Sequence, residues 1–164
     1  MDKKQVIVLA SVGALLLSVL IALIAVMTRQ IQPVRGDFTP PPFEENVEIG
    51  TPEVPSSAQY GTVTVSEGFA FGMMATPTLE GNDLALYLAS PATNTVWLLV
   101  RVYDESGNLL GESGLIRPGE YLPALKLTTL PEGDTVRASV LSYEVPTYYS
   151  MGAANATLHI QAAP

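Results

Sequence analysis

The chain contains no cysteine, one histidine and one tryptophan in 164 residues. Without cysteine it has neither a disulfide framework nor a thiolate metal site. The lone histidine, His159, is too few for the multi-histidine ligand sets of catalytic zinc. Basic residues are also scarce, since the chain has 8 of them and 16 acidic residues. Because such a surface repels phosphate, the composition indicates that nucleic acid is not a partner.

One long apolar run dominates the N-terminal region. Residues 6–27 read VIVLASVGALLLSVLIALIAVM and include no charged side chain. As a helix the run would extend roughly 33 Å, enough to cross the hydrocarbon core of a bilayer. It is longer than the apolar region of a cleavable signal peptide and lacks a small-x-small cleavage motif. The sequence therefore predicts a retained transmembrane helix over residues 6–27, after a cytoplasmic N-terminus of residues 1–5.

The basic residues that flank this helix are nearly balanced. Lys3 and Lys4 precede it, while Arg29 and Arg35 follow it, so the positive-inside rule gives only a weak preference. The extracytoplasmic character of the residues beyond the helix decides the prediction. We expect a single-pass protein of the plasma membrane, with its N-terminus in the cytoplasm and its C-terminal domain outside.

Small residues recur at every fourth position of the predicted helix. At this spacing they lie on one helical face, where small side chains let another helix approach closely. The alternative is chance, because Ala and Ser are common in membrane helices. The candidate helix-packing face consists of Ala10, Ala14, Ser18 and Ala22.

Residues 28–58 have a different composition, with six prolines and five acidic residues. Proline ends a helix and biases its neighbours toward extended geometry. The sequence predicts a Pro-rich acidic stalk, a semi-rigid spacer of at most roughly 95 Å. A proline-rich ligand at Thr39–Phe43 is the alternative. The stalk leads to a domain over residues 59–164.

That domain lacks a helical period and contains short runs rich in Val, Leu, Tyr and Thr, separated by Gly, Pro and Asn. About seven to eight strands at this spacing predict an antiparallel β-sandwich or a small barrel. Trp97 is expected to fill the space between the two sheets. The predicted strands are 60–65, 69–75, 84–90, 95–103, 109–113, 121–127, 135–145 and 157–161.

The stretch from Val96 to Val145, VWLLVRVYDESGNLLGESGLIRPGEYLPALKLTTLPEGDTVRASVLSYEV, resembles bacterial immunoglobulin-like and fibronectin type III-like domains. The resemblance lies in a strand with an aromatic anchor, a hairpin, and the turn phrases Ile116–Glu120 and Leu130–Gly133. With a membrane helix before it, the chain is similar to small single-pass envelope proteins of Gram-positive bacteria. The resemblance implies an immunoglobulin-like β-sandwich and brings no known activity.

Candidate catalytic groups are few. Residues 111–115, GESGL, lack the final glycine of the G-x-S-x-G nucleophile turn. Loop carboxylates such as Asp83 and Asp104 are not arranged in a twelve-residue calcium loop, and His159 is interpreted as a surface residue. The sequence therefore predicts no enzyme, no metal site and no cofactor.

Tyr148, Tyr149 and Met151 gather near the end of a predicted strand and form a candidate recognition loop. The alternative is that the two tyrosines pack over the open end of the sandwich. We expect a non-enzymatic envelope protein that contacts protein partners through its ectodomain or its membrane helix, as an accessory subunit of a membrane complex or as a homo-oligomer. The alternatives are a ligand-binding or adhesion module and a pilin-like filament subunit.

Overall fold

The computed structural model describes residues 39–55, 58–66 and 68–162. From Pro40 onward the chain belongs to one compact unit. The predicted transmembrane helix, the small-residue face within it (Ala10, Ala14, Ser18 and Ala22) and the cytoplasmic N-terminus lie outside the described residues. Among the residues that are described, no helix has the length and apolar character needed to span a membrane.

The described domain is all-β and its strands are short. They number thirteen in the described ranges, where the sequence predicted about seven to eight, because three of the predicted strands are interrupted and short strands form outside them. The predicted strand 84–90 is interrupted near Tyr87, whose φ is +46°, and the predicted strand 121–127 is interrupted at Pro123. The strands are β1 (Glu48–Ile49), β2 (Tyr60–Val65), β3 (Phe69–Met74), β4 (Thr78–Glu80), β5 (Asp83–Leu84), β6 (Leu88–Ala89), β7 (Val96–Tyr103), β8 (Leu109–Glu112), β9 (Glu120–Leu122), β10 (Leu125–Lys126), β11 (Thr135–Glu144), β12 (Ser150–His159) and β13 (Gln161–Ala162).

Antiparallel pairing builds a sandwich-like arrangement of sheets. One sheet has the order β1-β9-β6-β3-β2, a second has the order β12-β11-β7-β8, and a smaller one has the order β10-β5-β4-β13. Within the described residues, the pairing of β13 with β4 is the parallel exception among the named strands. The first two sheets contribute inward side chains to one hydrophobic core, among them Phe71 of β3, Val100 of β7 and Val140 of β11.

Trp97 does not lie in this core, contrary to the sequence-based expectation. Along β7 the core positions alternate, and Val96, Leu98 and Val100 occupy them. Since successive side chains of a strand point to opposite faces, the position of Trp97 is on the outer face of the sheet. Trp97 is half-buried there, and its aromatic partners come from elsewhere in the chain.

The segment placed in the stalk by the sequence contacts the β-domain. Glu48–Ile49 pairs antiparallel with β9, and Phe43 forms an isolated parallel bridge with Leu115. Proline favours an extended backbone, and an extended segment can add to the edge of a sheet through its carbonyl groups. The compact unit begins at Pro40 and so includes this segment.

The strand β12 begins earlier than the sequence indicated, at Ser150 and not at residue 157. Met151 consequently lies within β12. The stretch from Gly152 to Ala156 consists of residues with weak β-propensity, so its sequence does not predict a strand. Pairing with β11 along its whole length determines the structure here.

Candidate functional site

Aromatic rings from three distant parts of the chain meet on the outer face of β7. The ring centroids of Phe43 and Trp97 are 5.1 Å apart in an edge-to-face arrangement. The ring of Tyr148 lies on Trp97 with a centroid distance of 4.8 Å. Both separations are within the range in which aromatic pairs attract each other beyond their area burial. We call Phe43, Trp97 and Tyr148, together with Arg117 and Tyr149, the aromatic patch.

Backbone hydrogen bonds hold Phe43 in the patch. Glu44 donates its N–H to the carbonyl of Leu115 at 2.9 Å, and Leu115 donates its N–H to the carbonyl of Pro42 at 2.8 Å. The Glu44 carboxylate also accepts the N–H of Gly114 at 2.7 Å. Gly114 is required here, because a Cβ on it would lie 2.6 Å from the Glu44 backbone nitrogen. Phe43 is therefore held through hydrogen bonds of its two neighbours, Pro42 and Glu44.

The hairpin between β11 and β12 positions Tyr148. Its φ is +61°, in the left-handed region that non-glycine residues rarely adopt. The N–H of Tyr148 donates to the carbonyl of Glu144 at 2.9 Å, and the N–H of Glu144 donates to the carbonyl of Tyr149 at 2.9 Å. These bonds and the contact with Trp97 maintain an unfavourable backbone conformation, which is common where a loop has a functional role.

Arg117 places a positive charge against the apolar end of the patch. Its guanidinium carbon is 3.7 Å from the centroid of the Phe43 ring, a cation–π geometry. Glu120 orients this side chain through an ion pair of 3.2 Å and accepts the Arg117 backbone N–H at 2.8 Å. The patch therefore combines aromatic surface with an oriented guanidinium group in a domain that is otherwise strongly acidic.

Large apolar side chains remain exposed on the same hairpin. The relative exposure is 72% for Tyr149, 43% for Val145 and 41% for Met151. Tyr148, by contrast, is half-buried. The two adjacent tyrosines therefore have different environments, because Tyr148 packs on Trp97 while Tyr149 extends into solvent.

Several polar groups considered as chemical candidates have structural partners. The Ser113 hydroxyl is buried; it donates to the carbonyl of Gly114 at 2.8 Å and accepts the N–H of Val100 at 3.0 Å. His159 is exposed on β12, with its Nδ1 atom 3.4 Å from the Thr135 hydroxyl.

Two polar side chains considered as ligands, those of Asp104 and Asn82, hydrogen-bond within or next to loops. Asp104 accepts the backbone N–H and the side-chain amide of Asn108, each at 2.7 Å, and these hydrogen bonds lower the pKa of the Asp104 carboxyl. Asn82 likewise donates its side-chain amide to the carbonyl of Leu127 at 3.2 Å. No cluster of three His, Cys, Asp or Glu side chains suited to a metal ion occurs in the described ranges.

Sequence reasoning identified Tyr148 and Tyr149 but missed Phe43 and Arg117, and it assigned Trp97 to the core. For Trp97 the alternation of Val96, Leu98 and Val100 was a usable signal. For Phe43 and Arg117, no local pattern indicates their contact, because the two residues lie more than 70 positions apart.

No family model, curated protein or solved structure matches the chain.

Proposed function

We propose that the chain is a non-enzymatic, single-pass protein of the cell envelope whose β-domain binds a partner protein. In this proposal residues 6–27 cross the plasma membrane, the N-terminus is cytoplasmic, and the domain lies outside. The length and uncharged character of residues 6–27 support the anchor. The single observation that carries the binding function is the aromatic patch.

The composition of the patch supports protein binding. Tyrosine, tryptophan and arginine are enriched among the residues that contribute most to protein–protein affinity. Here the guanidinium of Arg117, the indole of Trp97 and the exposed ring of Tyr149 occur in one small region. An exposed apolar group beside ordered aromatic rings is the arrangement of an interface centre, which a partner would cover.

The rigidity of the patch supports binding as well. Backbone hydrogen bonds hold Phe43, and the left-handed residue Tyr148 fixes the hairpin on which Tyr149 lies. Association orders side chains and loses entropy, so groups that are already ordered bind with a smaller loss. Tyr149 adds a large contact area with only two rotatable side-chain bonds.

We include in the proposal an immunoglobulin-like topology for the domain. It is supported by the aromatic-bearing strand β7, the hairpin from β7 to β8, and the apolar core between two antiparallel sheets. Such domains commonly present binding loops at the ends of a rigid sandwich.

The membrane arm of the proposal is tested by fractionation. The full-length chain is expected to stay in the membrane pellet after alkaline extraction, whereas a variant without residues 6–27 is expected in the supernatant. Added protease should digest the domain in intact cells stripped of their wall. Full release of the intact chain at alkaline pH would refute the anchor.

The binding arm is tested by purification of the full-length chain in mild detergent, followed by mass spectrometry. Tyr149→Ser should reduce recovery of a stoichiometric partner by at least about tenfold, because central interface aromatics commonly contribute about 2 kcal/mol or more. Leu130→Ser is the matched control, since Leu130 is 50% exposed but lies outside the patch. Equal recovery with both variants would refute the role of the patch.

The exposed ring of Tyr149 also favours a second candidate, a ligand-binding or adhesion module. A flat aromatic side chain in a loop is a recognition surface for small ligands as well as for proteins. Glycan arrays and calorimetry with the full-length chain distinguish the two functions. Specific ligand binding that Tyr149→Ser abolishes, without a stoichiometric protein partner, would support this second candidate.

A further inference from the structure

One flank of the domain ends in an open strand. β12 is the outermost strand of its sheet and pairs with β11 alone among the described strands. It is ten residues long, and its pairing is regular from Ala153 to His159, beyond the register shift near Met151. An edge strand of this length offers unpaired N–H and C=O groups to any other extended strand.

The phase of the pairing identifies the outward groups. Ile160 donates its N–H to the carbonyl of Asp134 at 2.6 Å, and these two residues are directly opposite by the register of the strands. In an antiparallel pair, alternate residues exchange both backbone hydrogen bonds with the neighbour. The even-numbered residues of the regular stretch therefore turn their backbone groups toward β11, and the odd-numbered residues turn theirs outward.

Three consecutive outward positions are open. Ala153, Asn155 and Thr157 are exposed. Within the described part of the chain, their backbone groups make no hydrogen bond to any segment outside the sheet of β12. His159 differs, because its N–H donates to the carbonyl of Ala75 at 3.2 Å. The open edge thus consists of Ala153, Asn155 and Thr157.

The open edge lacks the charged residues that usually protect such strands. Residues 145–161 contain no Asp, Glu, Lys or Arg, and neither do residues 58–66, which include the edge strand β2 of the facing sheet. Val63 and Ala156 line one shallow groove of about 140 Å³ between the two strands. We call residues 58–66 and 145–161 the neutral flank. Lysine or glutamate on an edge strand is the common protection against pairing, and here it is missing.

Charge favours a second copy of the chain as the occupant. From residue 39 onward the chain has 14 acidic and 4 basic residues, a net charge of −10, and all of them lie outside the neutral flank. Two copies that approach through other surfaces bring like charges together, whereas the neutral flank avoids this repulsion. A strand without charges also pairs with its own sequence without like charges opposite each other.

We propose that β12 pairs antiparallel with β12 of a second copy, about a two-fold axis at Asn155. In this register Asn155 lies opposite Asn155 of the second copy, and Ala153 of each copy lies opposite Thr157 of the other. Every open residue then exchanges backbone hydrogen bonds with the other copy, on the order of six bonds in total. A self-complementary interface of this kind closes at a dimer, and its pairing residues, from Ala153 to Thr157, are not part of the aromatic patch.

The absence of native cysteine makes disulfide mapping a direct test. The full-length chain carrying Asn155→Cys is oxidised mildly and separated on a non-reducing gel. It should form a covalent dimer at least about tenfold faster than Leu109→Cys, because opposed Cα atoms in a hydrogen-bonded antiparallel pair lie about 5.5 Å apart, a separation that a disulfide bridges. Leu109 is the matched control, since it is 48% exposed on β8, the opposite edge of the same sheet.

A second variant excludes a nonspecific collision of thiols. Thr157→Lys, added to Asn155→Cys, should lower the dimerisation rate by about tenfold, because edge lysine blocks strand pairing. An unchanged Trp97 emission spectrum shows that this variant is folded. Equal rates for Asn155→Cys and Leu109→Cys, or a rate that Thr157→Lys does not change, would overturn the proposal.

Discussion

Gly114→Ala is the substitution expected to separate the segment from Pro42 to Glu44, and with it the Phe43 ring, from Trp97. The new Cβ would lie 2.6 Å from the backbone nitrogen of Glu44 and 2.8 Å from the carbonyl carbon of Phe43. Both atoms belong to the backbone, so no side-chain rotation relieves the contact. We expect the segment from Pro42 to Glu44 to move away, and the Phe43 ring to leave Trp97.

The magnitude follows from the contacts that this movement breaks. Three hydrogen bonds hold the segment, at 2.9, 2.8 and 2.7 Å, and each contributes about 0.5–1.5 kcal/mol net. The edge-to-face contact of Phe43 with Trp97 adds about 0.5–1.5 kcal/mol. Partial relaxation retains some of these contacts, and overpacked sites typically lose about 1–3 kcal/mol. We therefore expect a loss of about 2–3 kcal/mol, or roughly 8–12 °C in Tm.

The single tryptophan of the chain makes the assay local. Trp97 emission should shift to longer wavelength in Gly114→Ala, because the indole gains contact with water when Phe43 leaves. Gly133→Ala is the control, since a Cβ on Gly133 meets no atom within 4 Å. An unchanged emission spectrum together with an unchanged unfolding midpoint in Gly114→Ala would refute the docking of this segment.

Three further predictions concern the hydrophobic core, the side chain of Asn94, which hydrogen-bonds the backbone of β3 as a neighbouring strand would, and the ionisation of Tyr121. Leu86→Ala should lower the free energy of unfolding by about 2–5 kcal/mol in denaturant titration, because Leu86 is fully buried in the described domain; a loss below about 1 kcal/mol would contradict the described core. Asn94→Ala should lower the free energy of unfolding by about 2–3 kcal/mol. The Asn94 amide accepts the N–H of Ala70 at 2.9 Å and donates to its carbonyl at 2.7 Å, and the substitution leaves both backbone groups without these partners; an unchanged unfolding midpoint would contradict this. A hydrogen bond to Glu48 raises the pKa of Tyr121 to about 12, above its ordinary 10.0, so its contribution to stability is complete below pH 10 and is lost as the pH rises toward 12. Ultraviolet titration of Glu48→Gln should show one tyrosine ionising at lower pH than in the wild type, and superimposable titration curves would be the contrary result.

Much of the β-structure follows from local sequence. The alternating and apolar runs predicted the strand Tyr60–Val65 with its observed bounds, and they predicted β7 and β11 to within a residue. Hydrophobic alternation works for β7 and β11 because one face of each of these strands meets the core. It fails for the stretch from Gly152 to Ala156, where small residues become a strand only because β11 provides the partner.

The candidate site was less accessible to prediction because its contacts are not local. The adjacent tyrosines Tyr148 and Tyr149 indicated a recognition surface, but the sequence does not show which of the two is packed. Phe43 lies among prolines and acidic residues that are typical of a spacer. Its attachment depends on the small size of Gly114, which a linear sequence does not reveal. The role of Arg117 depends in turn on Phe43.

Photo-crosslinking from position 149 tests the central claim most directly, namely that the aromatic patch contacts a partner protein. A photoreactive phenylalanine analogue replaces Tyr149 in the full-length chain in its native membrane, and the same analogue at Leu130 is the control. We predict one dominant crosslinked protein from position 149 that is absent from position 130. The same products from both positions, or none from position 149, would contradict the assignment of the patch as the binding site.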